Sequence, residues 1–175
     1  MSDAYLDEKS AVPRPFTDES LVSFAEYLDS KRLDGKCARF SDLQLMDIYK
    51  IAPYVYIFDI DHADGKWPLR FFGSKLVEAY GRDLTGSDIH DAIQGPERDA
   101  LIQAMDKMIA DRKSLWTIVT IETEANSDTR ESKLVAYERL AYPLLGESGA
   151  VDHVISIVHV YPTPIDHPFQ TRHFD

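Results

Sequence analysis

The chain has 175 residues, 44% of them hydrophobic and 11% aromatic, enough for one domain with a packed core and terminal segments to spare. Its formal net charge of −11, without any cluster of Lys and Arg, excludes a general nucleic-acid binder, because neutralising phosphates requires such clusters. The one cysteine, Cys37, excludes an internal disulfide, and no Cys/His spacing of the zinc type exists, so no metal site is expected.

In chain order, the acidic start MSDAYLDEKS lacks the apolar stretch of a secretory signal, and residues 1–17, with Pro13 and Pro15, read as a flexible arm. A helix follows from Asp18, where Leu21, Phe24, Ala25 and Leu28 form an i, i+3, i+4, i+7 stripe that Thr17 or Asp18 can cap. YVYIFDID and PLRFFG read as two strands of a hairpin around the Asp-Gly turn HADGKW. SKLVEAYG is a short helix that Gly81 closes, and SDIHDAI supplies another helical turn. GPERDALIQAMDKMIADRK is the clearest helix, with Leu101, Ile102, Met105, Met108 and Ile109 on one face. Three strand-like runs follow, SLWTIVTIETE, SKLVAYERLAYPLL and DHVISIVHVY, and the Pro-rich residues 163–175 read as a tail. The longest apolar runs, such as APYVYIF, fall far short of the roughly 20 residues of a bilayer span, so a cytoplasmic protein without membrane contact is expected.

Short turns make the strand pairs antiparallel, and the helical middle must cross the sheet before the third strand. The expected class is therefore α+β, a five-stranded antiparallel sheet with helices on one face and an N-terminal helical extension. Within it, alternation in KLVAYERLAYPL puts Glu138 on a face with Leu134, Ala136, Leu140 and Tyr142. Three readings are open for this carboxylate in an apolar register: an edge or Arg-paired position, a polar contact inside a ligand cup, or a shifted register. Arg70 poses the same question beside Phe72, and it can reach solvent along its own stem.

The order strand–strand–helices–strand–strand–strand, with a short helix ending in YGRDLTG, resembles the PAS sensory domain. More closely, LRFFGSKLVEAYGRDLTGSDI followed by YERLAYPL is similar to small bacterial PAS proteins, common in alphaproteobacteria, that often lack an output domain. The resemblance covers residues 40–162 and implies the strand order 2-1-5-4-3. It leaves residues 18–39 as an N-terminal helix for dimerisation or capping. Residues 81–86 lack the Gly-Lys-Ser/Thr of a phosphate loop and the Gly-x-Ser-x-Gly of a nucleophile elbow, so they read as a connector in which Gly81 supplies a positive φ.

Two cofactors known from PAS relatives are judged unlikely on the residues. The KCARF stretch around Cys37 precedes the first strand, whereas the reactive cysteine of light-oxygen-voltage domains follows the Gly-x-x-x-x-Gly turn. No histidine occupies residues 94–113, where haem-binding members carry one, although His90 stands just before. The cofactor is unknown.

The resemblance implies a stand-alone signal-transduction protein that acts through an unidentified protein partner, with a small molecule as the ligand of its cup. The candidate cup between sheet and residues 74–110 comprises Phe58, Arg70, Phe71, Tyr80, Met105, Glu138 and Tyr142. Both faces of the strands are apolar, which exceeds what the middle helices can cover, so Leu21, Phe24, Ala25 and Leu28 are the candidate interface of a homodimer. The alternative is a small α+β-cup enzyme, an isomerase or hydrolase, with Asp59, Tyr80, Glu138 and His153 as parts; no spacing forces these together.

Overall fold

The computed structural model describes residues 15–32, 37–123, 133–161 and 169–175. Most of the expected N-terminal arm, the turn between the third and fourth strands, and the first part of the expected tail lie outside these residues. Helix α1 (Glu19–Ser30) begins at Asp18, whose carboxylate accepts from the backbone N–H groups of Ser20 and Leu21 at 2.9 and 3.3 Å. Those bonds satisfy two of the donors that a helix start leaves open. Three short 3-10 turns, Phe40–Asp42, Leu45–Ile48 and Ala52–Tyr54, lead into strand β1 (Val55–Asp59). Then come β2 (Leu69–Phe72), α2 (Ser74–Tyr80), α3 (Ile89–Ala92), α4 (Arg98–Asp111), β3 (Ser114–Thr123), β4 (Lys133–Leu145), β5 (Val151–Val160) and β6 (Gln170–Phe174).

All strand neighbours are antiparallel, in the order β2-β1-β5-β4-β3-β6. The first five strands take the expected 2-1-5-4-3 order. The sixth corrects the reading of residues 163–175 as a tail: Gln170–Phe174 pair with β3, matching Leu115 with His173 and Trp116 with Arg172. A polar five-residue run carries little strand signal by itself, but it closes the β3 edge, which would otherwise present unpaired N–H and C=O groups. Phe174 fixes it in place, with its ring centroid 6.0 Å from Phe16 and 6.1 Å from Tyr142.

The sheet is covered on both sides. On one side α2, α3 and α4 set Leu76, Ile89, Leu101, Met105 and Met108 against Tyr56, Phe58, Tyr137 and Val154. On the other, α1 and the 3-10 segment set Leu21, Phe24, Leu28 and Ile48 against Val55, Ile57, Leu140 and Ile155. The stripe expected to form a dimer interface is thus spent inside the chain. Leu21, Phe24, Ala25 and Leu28 are fully buried against their own sheet, so none of them offers surface to a second copy while α1 stays in place.

Two glycines show different constraints at the ends of α2. Gly81 caps the helix at φ +78°, with open space around the position of a Cβ. Gly73 has an ordinary φ of −64°, but a Cβ there would lie 2.2 Å from the backbone oxygen of Pro53, which cannot yield as a side chain could. We expect Gly81→Ala to cost about 1–2 kcal/mol, the strain of a left-handed L-residue. Gly73→Ala should cost about 3 kcal/mol or more, because the clash is with main chain. Urea melts of the two variants check this, and an equal small loss in both would refute the close approach.

Candidate functional site

The register decides what each layer receives. Along β4, Tyr137, Arg139 and Ala141 face α2–α4, while Glu138, Leu140, Tyr142 and Leu144 face α1. In β2 the pairing passes from Phe58↔Leu69 to Ile57↔Phe71, so Arg70 is the extra residue of a bulge. Leu69 and Phe72 both turn toward α2–α4 as a result, and Phe71 packs on the α1 side.

A cavity of about 30 Å³ lies between the sheet and the α2–α3 segment, walled by Tyr56, Phe72, Tyr80, Leu84, Ile93 and Tyr137. That is room for about two waters, and it does not admit a flavin or haem ring as it stands. The Tyr80 and Tyr137 phenols both stand in its wall. Burial pushes the Tyr80 phenol well above its usual pKa. It pushes Tyr137 up to about 12 despite the neighbouring Arg139 guanidinium. Both phenols stay neutral at physiological pH.

Behind this wall is Arg139, which sequence reasoning missed. It is fully buried. Its Nη1 donates to the Tyr56 hydroxyl at 2.9 Å and meets the Met105 sulfur at 3.3 Å, while Nε and Nη2 have no protein acceptor. Arginine keeps its charge in any protein environment, so a cation is held in this layer. The available signal was the YERL run: two adjacent charged residues in a strand point to opposite layers, and a sheet covered on both faces buries both.

Of the expected cup residues, the structure brings Tyr80 to the cavity and places Phe58 and Met105 in the same layer, with Phe58 stacked on Trp67 at 5.4 Å. Phe71, Glu138 and Tyr142 belong to the opposite layer, because the β4 face carrying Glu138 meets α1 rather than α2–α4. Arg70 is half-exposed outside the cup; its Nε and Nη2 each donate to an Asp59 carboxylate oxygen at 2.8 Å. His153 Nδ1 lies 2.7 Å from the same carboxylate and stacks under Phe40 at 4.1 Å. Burial works to raise the Asp59 pKa, but the bonds from Arg70 and His153 outweigh it and hold it below the usual range. The Asp59–His153 pair lies on adjoining strands away from both Tyr80 and Glu138, so the four enzyme parts form no single site.

Cys37 is buried beside the Arg112 carbonyl, its Sγ at 3.5 Å, and burial pushes its thiol pKa up. Among the described residues no group of three His, Cys, Asp or Glu could hold a metal ion, and no helix is long and apolar enough to cross a membrane.

Glu138 is satisfied without a cation. Trp116 Nε1 donates to its Oε1 at 2.6 Å, and the Tyr161 hydroxyl donates to Oε2 at 3.2 Å. Gln at this position keeps a carbonyl for Trp116, whereas Ala leaves a buried indole N–H without a partner and opens a void. We expect losses of about 1 kcal/mol for Glu138→Gln and about 3 kcal/mol for Glu138→Ala by urea denaturation. Equal, negligible losses in both would show that the carboxylate contributes nothing to the α1 layer.

Comparison with known proteins agrees with the fold. No curated protein matches the chain. Among solved structures, a light-oxygen-voltage domain studied with a flavin analogue superposes with a TM-score of 0.51 at 15% identity, over 69% of this chain and 86% of that one. The PAS domain of a protein from Colwellia psychrerythraea gives 0.47 at 13% identity, over 67% and 96%. At such identities the likeness concerns the fold alone. The family described as "PAS domain", however, matches residues 16–159, taking in α1 and the sheet from β1 almost to the end of β5. With four-fifths of its length inside that match, the chain belongs to the PAS domain family.

Proposed function

We propose that the chain is a cytoplasmic sensory adaptor, one that reads a small molecule at the tyrosine-walled cavity and signals through protein contacts. PAS domains are sensory signalling modules, and the observation that carries the finer reading is the junction of α2 with the 3-10 segment. Tyr80, at the end of α2, lines the cavity, and the other end of α2 begins at Gly73, seated against the main chain of Pro53. A shift of α2 on ligand entry is therefore passed to Ala52–Tyr54 by direct contact.

Among the described residues, the exposed large apolar side chains lie in the 3-10 region, residues 45–54. Met46 is 78% exposed, Tyr49 61% and Tyr54 38%. Large apolar side chains on consecutive turns next to a movable helix suit a partner surface better than an inert one. Self-association belongs with the same surface, since the α1 stripe is already buried. No observation favours the enzyme reading.

Native mass spectrometry and light scattering of the full chain, alongside a Met46→Ser/Tyr49→Ser double variant, test the proposal. We expect a bound small molecule in both proteins, and a self- or partner complex that the double variant loses while its melting temperature is kept. Absence of any bound molecule together with a complex unchanged in the double variant would end this reading.

A further inference from the structure

Four buried side-chain polar atoms on the α2–α4 side of the sheet have no protein partner: Arg139 Nε and Nη2, Thr117 Oγ1 and Ser156 Oγ. All three residues are fully buried. They are also neighbours. Thr117 is directly opposite Arg139 in the β3–β4 register, and Ser156 is opposite Tyr56, the residue whose hydroxyl already engages Arg139. Thr117 alternates with Leu115 and Val119, and Ser156 with Val154 and Val158, which sets both hydroxyls on the α2–α4 side of the sheet, behind the cavity wall.

From this cluster we infer that the cup binds a short-chain monocarboxylate, of acetate to butyrate size, with its carboxylate on the Nε/Nη2 edge of Arg139 and its apolar end among Tyr56, Phe72, Tyr80 and Leu84. The inference rests on the sensory reading above and supplies the ligand class that it lacks. Nη1 is taken by Tyr56 and Met105, so the free donors are the two parallel N–H groups of one guanidinium edge, the fork that matches a carboxylate. The titratable groups acting on Arg139 are the phenols of Tyr56, Tyr80 and Tyr137, and among the described residues no carboxylate forms an ion pair with it. A lone cation in an apolar layer is costly until an anion joins it.

Charge balance selects a monoanion, because a dianion such as sulfate or phosphate would leave an uncompensated charge in the same layer. The Thr117 and Ser156 hydroxyls can donate to the remaining carboxylate lone pairs. Size follows from the cavity of about 30 Å³ and from what can move to enlarge it. Tyr80 and Leu84 stand on either side of Gly81, and Gly81 and Gly86, at φ +78° and +85°, bracket the connector that carries Leu84. A swing of that connector enlarges the cavity, whose wall residue Tyr56 is the one bonded to Arg139.

The test is calorimetric titration and thermal melting of the full chain with sodium propionate, propionamide and sodium sulfate at matched ionic strength. Saturable binding and a raised melting temperature with propionate, neither of them with propionamide or sulfate, is the expected result. Arg139→Met should abolish the propionate response. Should that variant fail to fold, Arg139→Gln keeps a neutral hydrogen-bonding head and should bind at least about tenfold more weakly. Thr117→Val and Ser156→Ala should weaken propionate binding without lowering the melting temperature of the ligand-free protein. Equal responses to propionate and propionamide, a response preserved in Arg139→Met, or none to acetate, propionate or butyrate up to about 10 mM each overturns the inference. A neutral molecule found bound by native mass spectrometry would also overturn it, while leaving the sensory reading intact.

Discussion

The structure depends on a sheet whose central strands are apolar on both faces. In β4, Leu140, Tyr142 and Leu144 point one way and Tyr137 and Ala141 the other; in β5, Ile155 and Ile157 oppose Val154 and Val158. An antiparallel sheet can leave one face to water, but this one has no face to leave. Two covers are required. α2–α4 supply one, and α1 with the 3-10 turns supplies the other. The arrangement is a three-layer domain in which α1 is part of the core, and contacts at both its ends hold it there. Asp18 Oδ2 lies 3.2 Å from His159 Nδ1 on β5, and just past α1 the Arg32 Nη2 donates to Ser114 Oγ on β3 at 2.7 Å.

The same double cover explains the polar chemistry. A charged residue on a half-covered sheet escapes by facing water; here both members of the Glu138–Arg139 pair are trapped, one in each layer. The two layers resolve the cost differently. On the α1 side an indole and a phenol meet both carboxylate oxygens, which makes Glu138 a structural tie between β3, β4 and the start of the segment after β5. On the α2–α4 side a phenol and a thioether meet one nitrogen of Arg139 and leave a whole edge of the guanidinium open. Evenly satisfied polar groups specify a fold, and a buried polar group left partly satisfied carries an energetic cost that a further partner would relieve.

Position reinforces that contrast. The Arg139 layer is built on its helical side from α4 and from α2 and α3, two short elements of seven and four residues joined through glycines in left-handed conformations. Short helices bury little surface each and open at lower cost than α4 or the sheet. The α1 layer is closed by one helix and by Phe174 of β6, while His173 of the same strand reaches across to the Ala104 carbonyl of α4, in the opposite layer, at 2.9 Å. The Arg139 layer is thus divided, with α4 held through His173 and the short α2–α3 segment walling the cavity.

The sequence by itself determined the element order, the antiparallel hairpins and the α+β class, because period-two alternation, Asp-Gly turns and helical stripes are local signals that tertiary contacts had no reason to override. It also showed that both faces of the strands were apolar. It did not show whose surface would cover the second face: an apolar stripe such as Leu21, Phe24, Ala25 and Leu28 demands a partner, and its own sheet meets that demand as well as a second copy would. Nor could alternation say which layer Glu138 entered. A strand pattern separates two faces without labelling them, and a single bulge at Arg70 exchanges them within β2. The cup residues therefore divided between two layers, and Arg139 became the buried cation only when the register through β1, β5 and β4 was set. Pairing across strands distant in sequence is information that no local pattern contains.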